Sequence, residues 1–82
     1  MDMAGADTLY ICRMGDKTRT IQVANTGEGK VPCEVRYTRN DKTEVLWVAV
    51  NEEDYCENRA REFVKKQEGW GWQCQNAGLP SE

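Results

Sequence analysis

The chain has no histidine, two prolines and one phenylalanine in 82 residues. Without imidazole it lacks the commonest general base, the usual serine and cysteine triads, and nearly all mixed zinc sites. A bilayer span needs about 18 consecutive apolar residues. The longest apolar run here, residues 45–50, is the length of one buried strand, so no membrane span is expected. Basic residues are in deficit, 11 Lys and Arg against 14 Asp and Glu, for a net charge of -3 and a pI near 5.0. That balance argues against a nucleic-acid partner, which calls for a basic patch or stripe.

Close cysteine pairs are missing as well. Cys12, Cys33, Cys56 and Cys74 are separated by 20, 22 and 17 residues. Zinc ribbons and fingers present two thiolates from one short knuckle, and thioredoxin-type exchange needs a CxxC pair. Neither a metal site nor a redox pair is therefore expected. Glu52, Glu53, Asp54 and Glu57 are acidic neighbours without the calcium-hand loop pattern, and a helix dipole accounts for them. Gly27-Glu28-Gly29-Lys30 lacks the remaining spacing of a phosphate loop and the Ser or Thr after its lysine, so it reads as a turn. No catalytic residue and no cofactor is assigned, and the chain is read as a non-enzyme.

What is present is a well-marked helix. Asn51 reads as its N-cap, with Glu52, Glu53 and Asp54 in the first turn, where carboxylates suit the unpaired N–H groups. Cys56, Ala60, Phe63, Val64 and Gln67 recur at helical spacing and form one narrow apolar face. Lys65 and Lys66 suit the last turn, Gly69 is expected to close the helix in the left-handed conformation, and Trp70 to fold back on its end.

Upstream, four strands are expected. Residues 8–14 put Tyr10, Cys12 and Met14 on one face and Leu9 and Ile11 on the other, and Gly15-Asp16 supplies a hairpin turn. Residues 17–24 put Ile21 and Val23 inward; residues 25–32, with two glycines and a proline, form the longest internal loop. Residues 33–38 alternate, with Cys33, Val35 and Tyr37 inward, and Asn40-Asp41 makes the next turn. Residues 43–50 place Val45, Trp47 and Ala49 on one face and Leu46, Val48 and Val50 on the other. With both faces apolar, this strand is expected to be central or covered on both sides.

The order ββββα predicts an α+β fold: a four-stranded antiparallel meander with one C-terminal helix on one face and two disulfides. The expected division is a flexible segment 1–7, one domain 8–75 and a disordered tail 76–82. In a meander Cys33 lies beside the end of strand four, where the helix begins, so Cys33 should meet Cys56. The helix then returns Cys74 to the end of the sheet that holds Cys12. Of three possible connectivities, topology favours Cys33–Cys56 with Cys12–Cys74. An even cysteine count without metal spacing points to an oxidising compartment; Ala4-Gly5-Ala6, in a segment without the basic and apolar regions of a signal peptide, reads either as an export cleavage scar or as an ordinary terminus of small residues.

Trp70, Trp72 and Arg36 form the candidate binding surface. If residues 70–72 were extended, both indoles would point to one side and make a platform for sugars or proteins; packing into the core is the alternative. Arg36 with Arg39 and Arg13 on the outer sheet face, if clustered, would form an anion or protein contact; a solvated face is the reading they otherwise take. A glycan binder needs an exposed indole, whereas an inhibitor needs a protruding loop, for which residues 25–31 are the candidate.

The runs VPCEVRYTRNDKTEVLW, YCENRAREFV and WGWQC resemble the pattern of short uncharacterised four-cysteine proteins predicted to be exported by Gram-negative bacteria, over about residues 8–75. That resemblance implies periplasmic or secreted placement and carries no activity. Tyr10-x-Cys12-x-x-Gly15 is similar to the first strand of periplasmic lysozyme inhibitors of the MliC type, which are all-β barrels and match nowhere else. The reading is a small exported domain that binds a protein or cell-envelope component; the sequence leaves its oligomeric state open. The alternative is an intracellular cysteine-dependent metal or redox protein.

Overall fold

Tight turns between alternating segments produce the expected hairpins. The computed structural model describes residues 8–27, 29 and 31–77. Strands β1 (Thr8–Met14), β2 (Lys17–Asn25), β3 (Cys33–Arg39) and β4 (Lys42–Ala49) run antiparallel in sequence order. Met14 pairs with Lys17 across Gly15-Asp16, and Gly15 takes a positive φ of 62°. Arg39 pairs with Lys42 across Asn40-Asp41, whose φ values of 52° and 64° are those of a type I′ turn, matched to the twist of its strands. Helix α1 (Tyr55–Gly69) follows, and then a strand that the sequence pattern does not announce, β5 (Gln73–Asn76).

The sheet therefore has five strands rather than four, in the order β4-β3-β2-β1-β5. β5 carries Gln73, Cys74, Gln75 and Asn76, and has no apolar alternation to reveal it. It is held in register by the Cys12–Cys74 bridge, whose two residues lie directly opposite at a Cα separation of 4.0 Å. The ordered chain continues past the expected boundary at residue 75: Asn76 faces Tyr10, and the Ala77 N–H donates to the Leu9 carbonyl at 2.8 Å. Residues 1–7, with Ala4-Gly5-Ala6, and 78–82 lie outside the described residues.

β4 is an edge strand, not a central one. A bulge between Val35 and Arg36 explains its doubly apolar sequence: Val35 pairs with Trp47 but Arg36 pairs with Val45, leaving Leu46 as the extra residue. The slip sends Val45 to the outer face, away from Trp47 and Ala49. Val45 and Val48 are then exposed there.

The core lies between the other face and α1. Ile21, Val23, Val35, Tyr37 and Ala49 from the sheet cluster with Cys56, Ala60 and Val64 from the helix. Phe63 meets Tyr37 edge-on at 4.8 Å between ring centroids and Trp47 at 5.9 Å. The expected helical face is thus the buried one. Its start differs: Asp54 is the N-cap, without a side-chain capping bond, and Asn51, Glu52 and Glu53 precede the helix. Residues 50–54 are used to turn the chain from the sheet edge onto its face. No helix among the described residues is long and apolar enough to cross a membrane.

Candidate binding cleft at the hairpin tips

The helix ends two residues later than glycine counting suggests, and this decides the fate of both indoles. Gly69 is the last helical residue, and Gly71 is the left-handed one, at φ 103°. The Trp72 N–H donates to the Gln67 carbonyl at 3.1 Å and the Gly71 N–H to the Glu68 carbonyl at 3.0 Å. This pair of bonds is a Schellman closure with Gly71 just past the cap. It reverses the chain, so residues 70–72 are not extended and no two-indole platform forms. Trp72 is driven into the core, 7% exposed, while Trp70 points to solvent, 61% exposed.

Trp72 lies against one cation of the site, Arg19. The Arg19 guanidinium lies 4.0 Å from the centroid of a Trp72 ring and donates to the Gln67 Oε1 at 2.8 Å. Gln67 is fully buried, and its Nε2 has no hydrogen-bond partner among the described residues. Tyr37 lies within reach of two guanidiniums, Arg19 at 6.0 Å and Arg39 at 5.7 Å. The β2–β3 register, continued one pair beyond Thr20 and Thr38, sets Arg19 beside Arg39.

An open cleft of about 520 Å³ forms where the β1–β2 and β3–β4 turns approach Trp72. Lys17, Arg19 and Arg39 line it, with Asp16 and Asp41 from the two turns. The ion pairs among the described residues are Arg36–Glu34, Arg59–Glu62 and Arg61–Glu57, so none neutralises a cation of the cleft. Arg19 and Lys17 carry no apolar signal, since the inward face of β2 is marked in the sequence only by Ile21 and Val23. The available signal was that Lys17 and Arg19 continue the Ile21 and Val23 face beyond the end of the core.

The proposed arginine surface does not assemble. Arg36 and Arg13 lie on the outer face, on strands separated by β2, and Arg36 pairs with Glu34. Arg39 shares the parity of Tyr37 and so lies on the helix-side face. In the 25–32 loop, the Thr26 N–H donates to the Pro32 carbonyl at 2.9 Å and the Asn25 Nδ2 to the Gly29 carbonyl at 3.1 Å. A Cβ at Gly27 would come within 2.7 Å of the Pro32 ring, so the loop requires glycine there.

The four cysteines are all paired, Cys12 with Cys74 and Cys33 with Cys56. Among the described residues no group of three His, Cys, Asp or Glu side chains is placed to hold a metal ion. Near the other end of the helix, the Thr8 hydroxyl donates to Glu57 Oε2 at 2.7 Å. Burial first, and then the Glu57 charge, push the Tyr10 phenol above its ordinary value of 10.0, with Arg61 opposing. No family model, no curated protein and no solved structure matches the chain.

Proposed function

We propose that this is a small exported domain, periplasmic or secreted, that acts without catalysis by binding a protein or cell-envelope component at its hairpin-tip end. The observation that carries the reading is the pairing of all four cysteines into two bridges that tie remote elements together, with three of the four sulfur-bearing residues buried. Such bridges persist in oxidising compartments and are rare where thiols are kept reduced. The contact surface is argued from Trp70, an exposed indole two residues along the chain from Trp72 in the cleft wall. Amphipathic aromatic rings of this kind give large contact area at low ordering cost.

The test has two parts. Protein isolated from its native cells and alkylated in denaturant should take up no label and weigh four hydrogens less than its reduced form, the count expected for two bridges. Four labelled thiols would remove the export reading and favour an intracellular metal or redox role. Co-sedimentation with isolated cell envelope should then be lost in Trp70→Ala while the melting temperature holds. Retention of binding by that variant would move the contact surface elsewhere.

A further inference from the structure

The cleft gathers three cations, Lys17, Arg19 and Arg39, and its lining also includes the carboxylates of Asp16 and Asp41. These cations converge on it from two neighbouring strands, and among the described residues none of them has an ion-pair partner within 4.0 Å. Like charges on adjacent strands destabilise a sheet, and here Arg39 also pairs across its turn with Lys42. A cluster that costs stability and is left unneutralised within the fold is poised to be neutralised by a ligand.

Arg19 is moreover set in advance. One N–H is committed to buried Gln67, and the guanidinium lies against Trp72, so its place is fixed before any ligand arrives. A guanidinium has five N–H donors and keeps its charge at every accessible pH. Its fork matches two oxygens of a phosphate or sulfate, with lysine adding a mobile point charge. The volume of about 520 Å³ admits such a group together with the first part of whatever bears it.

We propose that the cleft between the hairpin tips binds a tetrahedral oxyanion, a phosphate or sulfate group, through Arg19, Arg39 and Lys17. This rests on the reading of the hairpin-tip end as a binding surface and gives that surface a ligand chemistry. The group is carried either by a small soluble molecule or by a lipid headgroup, and the two sources are separable.

The experiment titrates the intact, oxidised protein with inorganic phosphate and with sulfate, against chloride at matched ionic strength, following amide and indole shifts by NMR. Saturable shifts centred on residues 16–20, 38–41 and the Trp72 indole are expected, absent with chloride. Arg39→Gln and Lys17→Gln should each weaken binding by about tenfold, the scale of one charge-assisted contact, with the melting temperature nearly unchanged. Vesicles of phosphatidylglycerol are compared with vesicles of phosphatidylcholine. Phosphate binding with phosphatidylglycerol binding sensitive to Arg39→Gln assigns a headgroup source; phosphate binding alone assigns a soluble one. Shifts that chloride reproduces, the absence of saturation, or vesicle binding without phosphate binding would overturn the proposal. Envelope binding that depends on Trp70 and survives Arg39→Gln would overturn the oxyanion inference while leaving the binding-module reading in place.

Discussion

The substitution that tests the cleft's architecture most sharply is Arg19→Met. Among the described residues, the wild-type guanidinium supplies the one hydrogen bond made by the fully buried Gln67 side chain, whose Nε2 has no partner there. Removing it leaves both polar atoms of that amide buried and unsatisfied, a cost of about 1–3 kcal/mol. Loss of the contact with Trp72 adds about 0.5–2 kcal/mol. Relief of the repulsion from Arg39 returns about 0.2–1 kcal/mol. The expected net loss is about 2 kcal/mol, or roughly 8–16 °C in melting temperature for a domain of this size.

Urea unfolding followed by far-ultraviolet circular dichroism, with disulfides intact, measures that loss. Part of it is a penalty for an orphaned amide, so Arg19→Met combined with Gln67→Met should be more stable than Arg19→Met alone. Replacing both partners of a buried hydrogen bond by apolar groups is close to neutral. The reasoning fails if the single variant lies within about 0.5 kcal/mol of wild type, the ordinary range for a surface change. It fails equally if the double variant loses the sum of the two single effects.

Gly71→Ala places a side chain at φ 103° and should cost about 1–2 kcal/mol by thermal unfolding, whereas the same change at helical Gly69 should be neutral or stabilising. Trp72→Ala should lose about 3–5 kcal/mol, and Trp70→Ala no more than about 0.5 kcal/mol, both read from urea midpoints. For Tyr10, a folded-state value raised above 10.0 means that the unfolded phenol ionises first as pH rises. Stability should be unaffected by this group below pH about 10 and fall above it, with the loss abolished in Tyr10→Phe. Phenolate absorbance should show one tyrosine titrating later than the same residue in the denatured chain.

The sequence made the meander, the helix and the disulfide pairing legible because each rests on a periodic signal. Ile21 and Val23 on β2, and Cys33, Val35 and Tyr37 on β3, face the core as alternation requires, and Cys56, Ala60, Val64 and Gln67 face it at helical spacing. The misreadings came where one residue changes parity or one bond replaces a pattern. The bulge at Leu46 turned a doubly apolar segment into an edge strand. β5 was hidden because a disulfide and backbone pairing, rather than apolar side chains, hold it in the sheet. The glycine expected to close the helix, Gly69, is its last helical residue, and the turn falls at Gly71, which buries Trp72 and leaves Trp70 exposed. The cleft was invisible for a related reason: Lys17, Arg19 and Arg39 come together only once the β2–β3 register is known.

The two bridges are not equivalent, and the difference links the chemistry of the compartment to the cleft. Cys33–Cys56 joins the start of β3 to the first turn of α1, in a region already packed by Ala49, Ala60 and Val35. Cys12–Cys74 holds β5, a strand of four residues, three of them exposed and polar, against β1. On the chain-entropy account the bridges stabilise by about 3 and about 4 kcal/mol, for separations of 23 and 62 residues. Beyond its backbone pairing with β1, so short an edge strand depends on this bridge, and Trp72, one residue before β5, is seated between that strand and the Schellman turn. Arg19 in turn rests on Trp72. The order of dependence therefore runs from the Cys12–Cys74 bond to β5, then to Trp72, then to the guanidinium in the cleft. Loss of the Cys12–Cys74 bridge would reach the proposed binding surface through β5 and Trp72.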